Sequence, residues 1–177
     1  MKDDICIGLF GTCGDSTWRD TFIRQYTAEG FNYFNPQLPV GTWKPKEAVA
    51  EAEHLANDDI IVFPVLAETY GLGSLAETGF SIMSVLHSGV SRYVIVYIDE
   101  LPAEELKSNM ELYTESRKAR ALVLAHLKKL GSIDGLYIVD SMEQALIISK
   151  ILYSVMDAVE NTLNWADAEF ARQCPNL

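Results

Sequence analysis

Ile60-Ile61-Val62-Phe63-Pro64-Val65, trailed closely by Gly73-Ser74-Leu75-Ala76-Glu77-Thr78-Gly79-Phe80, decides how this chain folds. The short apolar run reads as a buried strand, and the segment behind it opens a helix. A carboxylate in the first turn of such a helix stands at the strand's carboxyl end, where open α/β sheets bind their ligands. Glu77 is therefore the first catalytic candidate, with Gly73 and Ser74 as its neighbours in the turn. The same Ser-x-x-Glu spacing also satisfies a capping box, in which Ser74 and Glu77 do no more than start the helix.

Outward from this unit the pattern repeats. Strands are expected near 5–10, 31–34, 60–65, 93–98 and 136–139, separated by helical stretches, which is the signature of a parallel sheet flanked by helices. The fold class expected is α/β: a doubly wound, mostly parallel five-stranded sheet, flavodoxin-like or Rossmann-like, with helices on both faces and a long C-terminal helix. Residues 1–177 carry no linker or compositional break and read as one domain. Between Glu104 and Leu130 the chain is helix-rich, with a break near Ser108-Asn109 and a basic cluster at Arg117, Lys118 and Arg120, read as a solvated face or a cover for a neighbouring subunit's site. On the last helix Ala145, Ile148, Leu152, Val155 and Val159 form an apolar stripe. Leu146, Ile147, Ile151 and Met156 widen it beyond what one sheet face needs, so a homo-oligomer is expected. The tail from Trp165 is expected to extend over the surface or a neighbour.

Three other segments converge on the sheet edge that Glu77 occupies. After the first strand, Gly11-Thr12-Cys13-Gly14-Asp15-Ser16-Thr17-Trp18-Arg19-Asp20 reads as a binding loop. Glycines let backbone approach a ligand, Ser16 or Thr17 can cap the helix that follows, and free amides at a helix start favour an anion or a sugar hydroxyl. Arg19 is a bidentate donor suited to a 5'-phosphate. The plain alternative is an ordinary strand-to-helix turn with a packed tryptophan. After the second strand, Asn35-Pro36-Gln37 brings hydrogen-bonding side chains to the same edge, and Trp43 can stack on a planar ligand or cover the core. The acidic helix from Lys46 to Asp59 puts Glu47 and Glu51 on one face, with Asp59 opening the next strand.

In this order and spacing, Gly11-Thr12 through Ser16-Thr17-Trp18-Arg19-Asp20, Tyr33-Phe34-Asn35-Pro36, the acidic helix, Asp59 and Gly73 through Glu77 resemble the nucleoside 2-deoxyribosyltransferase-like family over residues 5–100. The resemblance implies that Glu77 is a nucleophile attacking the anomeric carbon of a nucleoside or nucleoside 5'-monophosphate, that Glu51 orients substrate or handles protons, and that sites are completed across a subunit interface. Cleaving an N-glycosidic bond builds positive charge on the sugar, which a carboxylate can stabilise or trap. A helix amino terminus is expected to favour the ionised form of Glu77. Where some members carry a sugar-contacting aspartate six residues before the nucleophile, this chain has Gly71, with Glu68 or Tyr70 as substitutes.

Two other functions stay open: a catalytically silent nucleotide-sensing module, and an NAD-binding oxidoreductase using Gly71-Leu72-Gly73-Ser74-Leu75-Ala76 with Asp99 on the ribose. In the dinucleotide fold the glycines follow the first strand directly, whereas here Leu66 to Tyr70 intervene after the third. A net charge of -11 argues against nucleic acid as a partner. With 49% hydrophobic residues the chain can bury a core. No uncharged run reaches membrane-span length and no targeting segment is evident, so no membrane partner and a cytoplasmic location are expected. Three cysteines do not suggest a disulfide framework. His54, His87 and His126 each lack a second ligand at metal spacing, so no metal and no cofactor are expected.

Overall fold

The computed structural model describes residues 5–38, 42, 44–87, 92–130 and 133–173; Trp43 lies outside them. The elements run in the order β1 (Ile7–Leu9), α1 (Trp18–Glu29), β2 (Tyr33–Phe34), α2 (Pro45–Asn57), β3 (Ile60–Val65), α3 (Leu72–His87), β4 (Tyr93–Ile98), a 3-10 turn (Glu104–Ser108), α4 (Met110–Leu130), β5 (Leu136–Ile138) and α5 (Met142–Gln173). All strand pairs are parallel, in the order β2-β1-β3-β4-β5. The doubly wound α/β expectation is thus met, with the flavodoxin-like strand order.

Period-two alternation divides the core. Ile60, Val62 and Ile95 face α1 and α5, packing with Leu9, Phe22, Tyr26 and Tyr153. Ile61, Phe63, Val65, Val94 and Val96 face the other way, against Leu55 of α2, Leu75 and Ile82 of α3 and Leu127 of α4. Parallel crossovers are right-handed. The step from β1 out to β2 therefore puts α1 on one face, and the returning step to β3 puts α2 on the opposite one. That reversal opens a crevice beyond the carboxyl ends of β1 and β3.

Arg120 does not belong to a solvated basic face. Its side chain is fully buried, and a cleft of about 610 Å³ nearby is lined instead by Arg117 and Lys118 with Glu100, Leu101, Leu124 and Lys128. The expected break in the helix-rich region falls at Asn109, between the 3-10 turn and α4. In the tail, α5 runs on as helix to Gln173, with Trp165 exposed. On α5, Ala145, Ser149 and Tyr153 point inward, whereas Val155 and Val159 point outward with Ile147, Ile151 and Leu163. The sheet therefore uses only part of the wide stripe.

Candidate active site

The loop after β1 is fastened to the end of β3 by its own backbone. Gly11 adopts φ +88, and a Cβ there would stand 2.2 Å from the carbonyl oxygen of Pro64, so only glycine allows this approach. Thr12 donates its N–H to Pro64 O at 2.8 Å, and its Oγ1 accepts the N–H of Leu66 at 2.8 Å. The Thr12 carbonyl accepts from Trp18 Nε1 at 2.9 Å and from Arg19 Nη1 at 2.6 Å. Arg19 also donates Nε to Leu9 O at 3.0 Å and Nη2 to Cys13 Sγ at 3.3 Å, with its guanidinium 4.5 Å from the centre of the Trp18 ring.

This corrects the reading of Arg19 as a phosphate fork. The side chain has no exposed surface and its donors hold the loop's own carbonyls, so it shapes the loop from within. Burial lowers its proton affinity, while Cys13 and Glu51 act to raise it. Trp18 likewise is framework, packed edge-on against Phe22 at 5.1 Å. Thr17 does stand at the cap position of α1, but its side chain makes no capping hydrogen bond. Ser16 is buried, and its Oγ has no hydrogen-bond partner among the described residues. A buried hydroxyl without a partner is costly, and a ligand oxygen would relieve that cost.

From the neighbouring strand, Gln37 Nε2 donates to Gly14 O at 2.8 Å and Ser16 O at 2.9 Å, tying the β2 loop to the β1 loop. Asn35 shapes that loop rather than reaching out: its Oδ1 accepts the N–H of Gln37 at 3.0 Å, in an Asx turn around the half-buried Pro36.

The segment between β3 and α3 is organised by two residues that the sequence reading did not select for this role. Asp99, just past β4, accepts the N–H of Ala67 at 2.6 Å and the hydroxyl of Tyr97 at 2.5 Å. The second contact, the largest cause, pushes the Tyr97 phenol up to about 12. Arg120 gathers four carbonyls, donating to Val65 and Asp99 at 2.9 Å and to Leu66 and Thr69 at 2.8 Å. Both oxygens of the Asp99 carboxylate thus already serve the fold, against its assignment to a dinucleotide ribose.

Gly71 explains why an aspartate is missing there. Its φ is +64, which strains any other residue, and a Cβ would lie 2.7 Å from Val65 Cγ1 and 3.1 Å from Arg120 Nη2, so a side chain there would clash with the valine and crowd the arginine. Tyr70 is no substitute in this arrangement, because its hydroxyl donates to Leu106 O at 2.9 Å. Glu68 is exposed.

Helix α3 begins at Leu72, with Leu75 N–H bonded to Gly71 O at 2.8 Å. Gly73 and Ser74 therefore lie inside the helix, and Ser74 cannot be its cap. Its carbonyl accepts from Thr78 Oγ1 at 2.7 Å. Glu77 is the sixth residue of α3, in the second turn, so the capping-box alternative does not apply. The expected help from the helix dipole fails for the same reason, since that field fades beyond the first turn. Leu75 and Thr78 turn inward and are buried, while Glu77 keeps an exposed side chain. Its proton affinity is nevertheless raised above the ordinary carboxylate value, first by surrounding protein that displaces water from one side of the carboxyl, then by the charge of Glu51.

Glu51, half-buried on α2, is thus close enough to act electrostatically on both Glu77 and Arg19. Two carboxylates from successive helices and the arginine-braced loop lie within electrostatic reach of one another near the sheet reversal. Asp59 does not join them. It precedes β3, at the sheet's amino edge, where its carboxylate accepts the N–H of Cys6 at 3.1 Å. Parallel strands all start at that edge, so a residue just before β3 lies a full strand length from one just after it.

One grouping of potential ligands was not visible along the chain. Cys6, His54 and Asp58 come together at the amino edge, from positions whose separation along the chain hid the cluster. The one local sign was the i,i+4 spacing of His54 and Asp58, which puts both on one helical face.

No protein-family model matches the chain, and no curated protein matches it. Among the described residues no helix is long and apolar enough to cross a membrane.

Proposed function

We propose that this protein cleaves or transfers at the N-glycosidic bond of a nucleoside or nucleoside 5'-monophosphate, in the manner of nucleoside 2-deoxyribosyltransferase-like enzymes, with Glu77 as nucleophile. The observation that carries the reading is the electrostatic pairing of Glu77 with Glu51 beside the β1/β3 reversal, the usual ligand crevice of this strand order. A Glu77 oxygen forms a bond to C1' as the C1'–N bond breaks, and the bonding electrons leave with the base. The departing nitrogen takes up a proton from solvent, relayed through the carboxylate of Glu51. In the second half, an incoming base or water attacks C1', displaces Glu77 and gives up its proton to Glu51 or solvent. Positive charge developing on the sugar favours the ionised form of Glu77, offsetting the neighbours that raise its proton affinity in the free protein.

Ser16 Oγ supports recognition of a sugar hydroxyl or phosphate oxygen, since it is buried and unpartnered. The inward turn of Arg19 removes the strongest argument for a monophosphate over a nucleoside. The outward apolar row on α5, Ile147, Ile151, Val155, Val159 and Leu163, supports association of chains into a homo-oligomer.

The test is a panel of ribo- and deoxyribonucleosides and their monophosphates, with free base measured with and without an acceptor base. Release from at least one class is expected. Binding without release from any of them means a nucleotide-sensing module instead.

The carboxylate pair also predicts a pH profile. Because burial and Glu51 both raise Glu77, the acid limb of kcat/KM lies above the ordinary glutamate range. Glu51→Gln removes one negative charge and so moves that limb to lower pH, while cutting the rate by about 10²–10⁴-fold through the lost proton transfer. A limb that stays put, or moves up, in Glu51→Gln contradicts the pairing.

A further inference from the structure

At the amino edge of the sheet, on the side away from Glu77, three metal-ligating residues of different chemistry meet. Cys6 leads into β1, His54 lies in the last turn of α2, and Asp58 caps the carboxyl end of that helix before β3. One ligand atom from each lies within 4.8 Å of the other two. A tetrahedral zinc ion with its usual bond lengths separates its ligand atoms by about 3.3–3.8 Å. Small rotamer adjustments therefore convert the cluster into a coordination shell.

The cluster is also held in place and accessible. The imidazole of His54 is stacked on Phe34 at 3.7 Å with 5° between the planes, and its Nδ1 contacts Asp58 Oδ1 at 2.8 Å. Asp58 is 4% exposed, and its Oδ2 meets no N–H or O–H donor among the described residues, the weakly donating Cys6 thiol being the group that turns to this carboxylate. A buried carboxylate oxygen left in that state asks for a cation or a donor. Gly8 keeps the space beside it open, because a Cβ there would stand 2.6 Å from that oxygen. Cys6 and His54 are only partly covered, which provides a route in from solvent.

We propose that Cys6, His54 and Asp58 bind a zinc-class divalent cation, one ligand atom each, with water in the fourth position. Sulfur and imidazole together favour zinc over magnesium or calcium, which prefer all-oxygen shells. The ion ties the start of β1 to the α2–β3 junction, two segments far apart in sequence. It sits at the amino edge of the sheet, one turn of α2 beyond Glu51.

The test uses the full-length chain, stripped with chelator and titrated with cobalt(II), then with zinc(II). One equivalent of cobalt should produce a thiolate-to-metal charge-transfer band in the near ultraviolet with tetrahedral visible bands, and zinc should erase both. Cys6→Ser should lose the charge-transfer band. Both Cys6→Ser and His54→Gln should bind zinc at least about 100-fold more weakly, beyond the usual effect of losing a supporting contact. Cys13→Ser should behave as wild type. A wild-type protein with no sulfur band at stoichiometric cobalt overturns the assignment, as does a band that survives Cys6→Ser. Should either variant fail to fold, alkylation of the wild type decides: zinc must protect Cys6, and equal labelling with and without zinc overturns the site.

Discussion

Glu77→Gln is expected to abolish base release, lowering turnover by about 10⁴-fold or more, the scale on which loss of a covalent nucleophile is felt. Glutamine keeps the shape of the side chain and cannot form the glycosyl ester, so ligand binding should survive. The same substitution should raise stability at neutral pH. Glu77 has a folded-state proton affinity above its unfolded value. Between those two values the folded protein holds more protons, so its stability falls as pH rises from the unfolded value through the folded one and stays lower above it. Removing the charge removes that loss. Thermal melts at neutral and acidic pH, run beside base-release and equilibrium-binding assays, read all three effects. Unchanged turnover would sink the nucleophile assignment. A lower melting temperature at neutral pH would show that the carboxylate stabilises the fold, against the strain expected of a site residue.

Arg120→Met should cause the largest loss of stability among substitutions away from the carboxylates, about 3–5 kcal/mol. Methionine matches the bulk of the arginine stem but leaves the carbonyls of Leu66, Thr69 and Asp99 without their donor, while that of Val65 keeps only the N–H of Asp99 at 3.0 Å. Each orphaned carbonyl in a dry interior costs about 1–3 kcal/mol, reduced where the loop can relax or admit water. Arg120→Lys should recover only part of the loss, because one ammonium cannot span four acceptors as a planar fork does. Urea denaturation measures both. Hydrogen exchange at Leu66 and Ala67 should speed up in Arg120→Met, whose activity should fall because this loop sets where α3 begins. A variant within about 1 kcal/mol of wild type would show that the arginine network is not what holds the loop.

Legibility in the sequence followed burial. Ile60–Val65 and Tyr93–Ile98 were readable to the residue because central parallel strands are covered on both faces and so become unbroken apolar runs. β2 and β5, at the sheet's edges, shrank to two and three residues, and the buried β1, expected over 5–10, to three. Glu77 was readable as a candidate from its place in a strand-helix alternation, whereas Glu51 was singled out only by the family resemblance. Asp59 was misplaced by the same reasoning, since adjacency to β3 along the chain says nothing about which end of the strand is meant until direction is considered.

Other features had no local signature. Arg19 and Arg120 look like ordinary basic residues on helices, and only the fold shows that each is enclosed by the carbonyls of loops. The start of α3 at Leu72 depends on the left-handed turn at Gly71, which in turn makes room for Arg120. Cys6, His54 and Asp58 are gathered by the pairing of β1 with β3.

The order of apolar and polar residues alone determined the α/β class, the central strands and the two-sided core, and placed Glu77 behind a buried strand, because periodicity reports which faces meet water. Tertiary structure alone decided which charges are buried, which end of the sheet each acid occupies and that Glu51 is near enough to Glu77 to act on its charge. Those properties arise from segments distant in the chain approaching one another, and no window of sequence contains both partners.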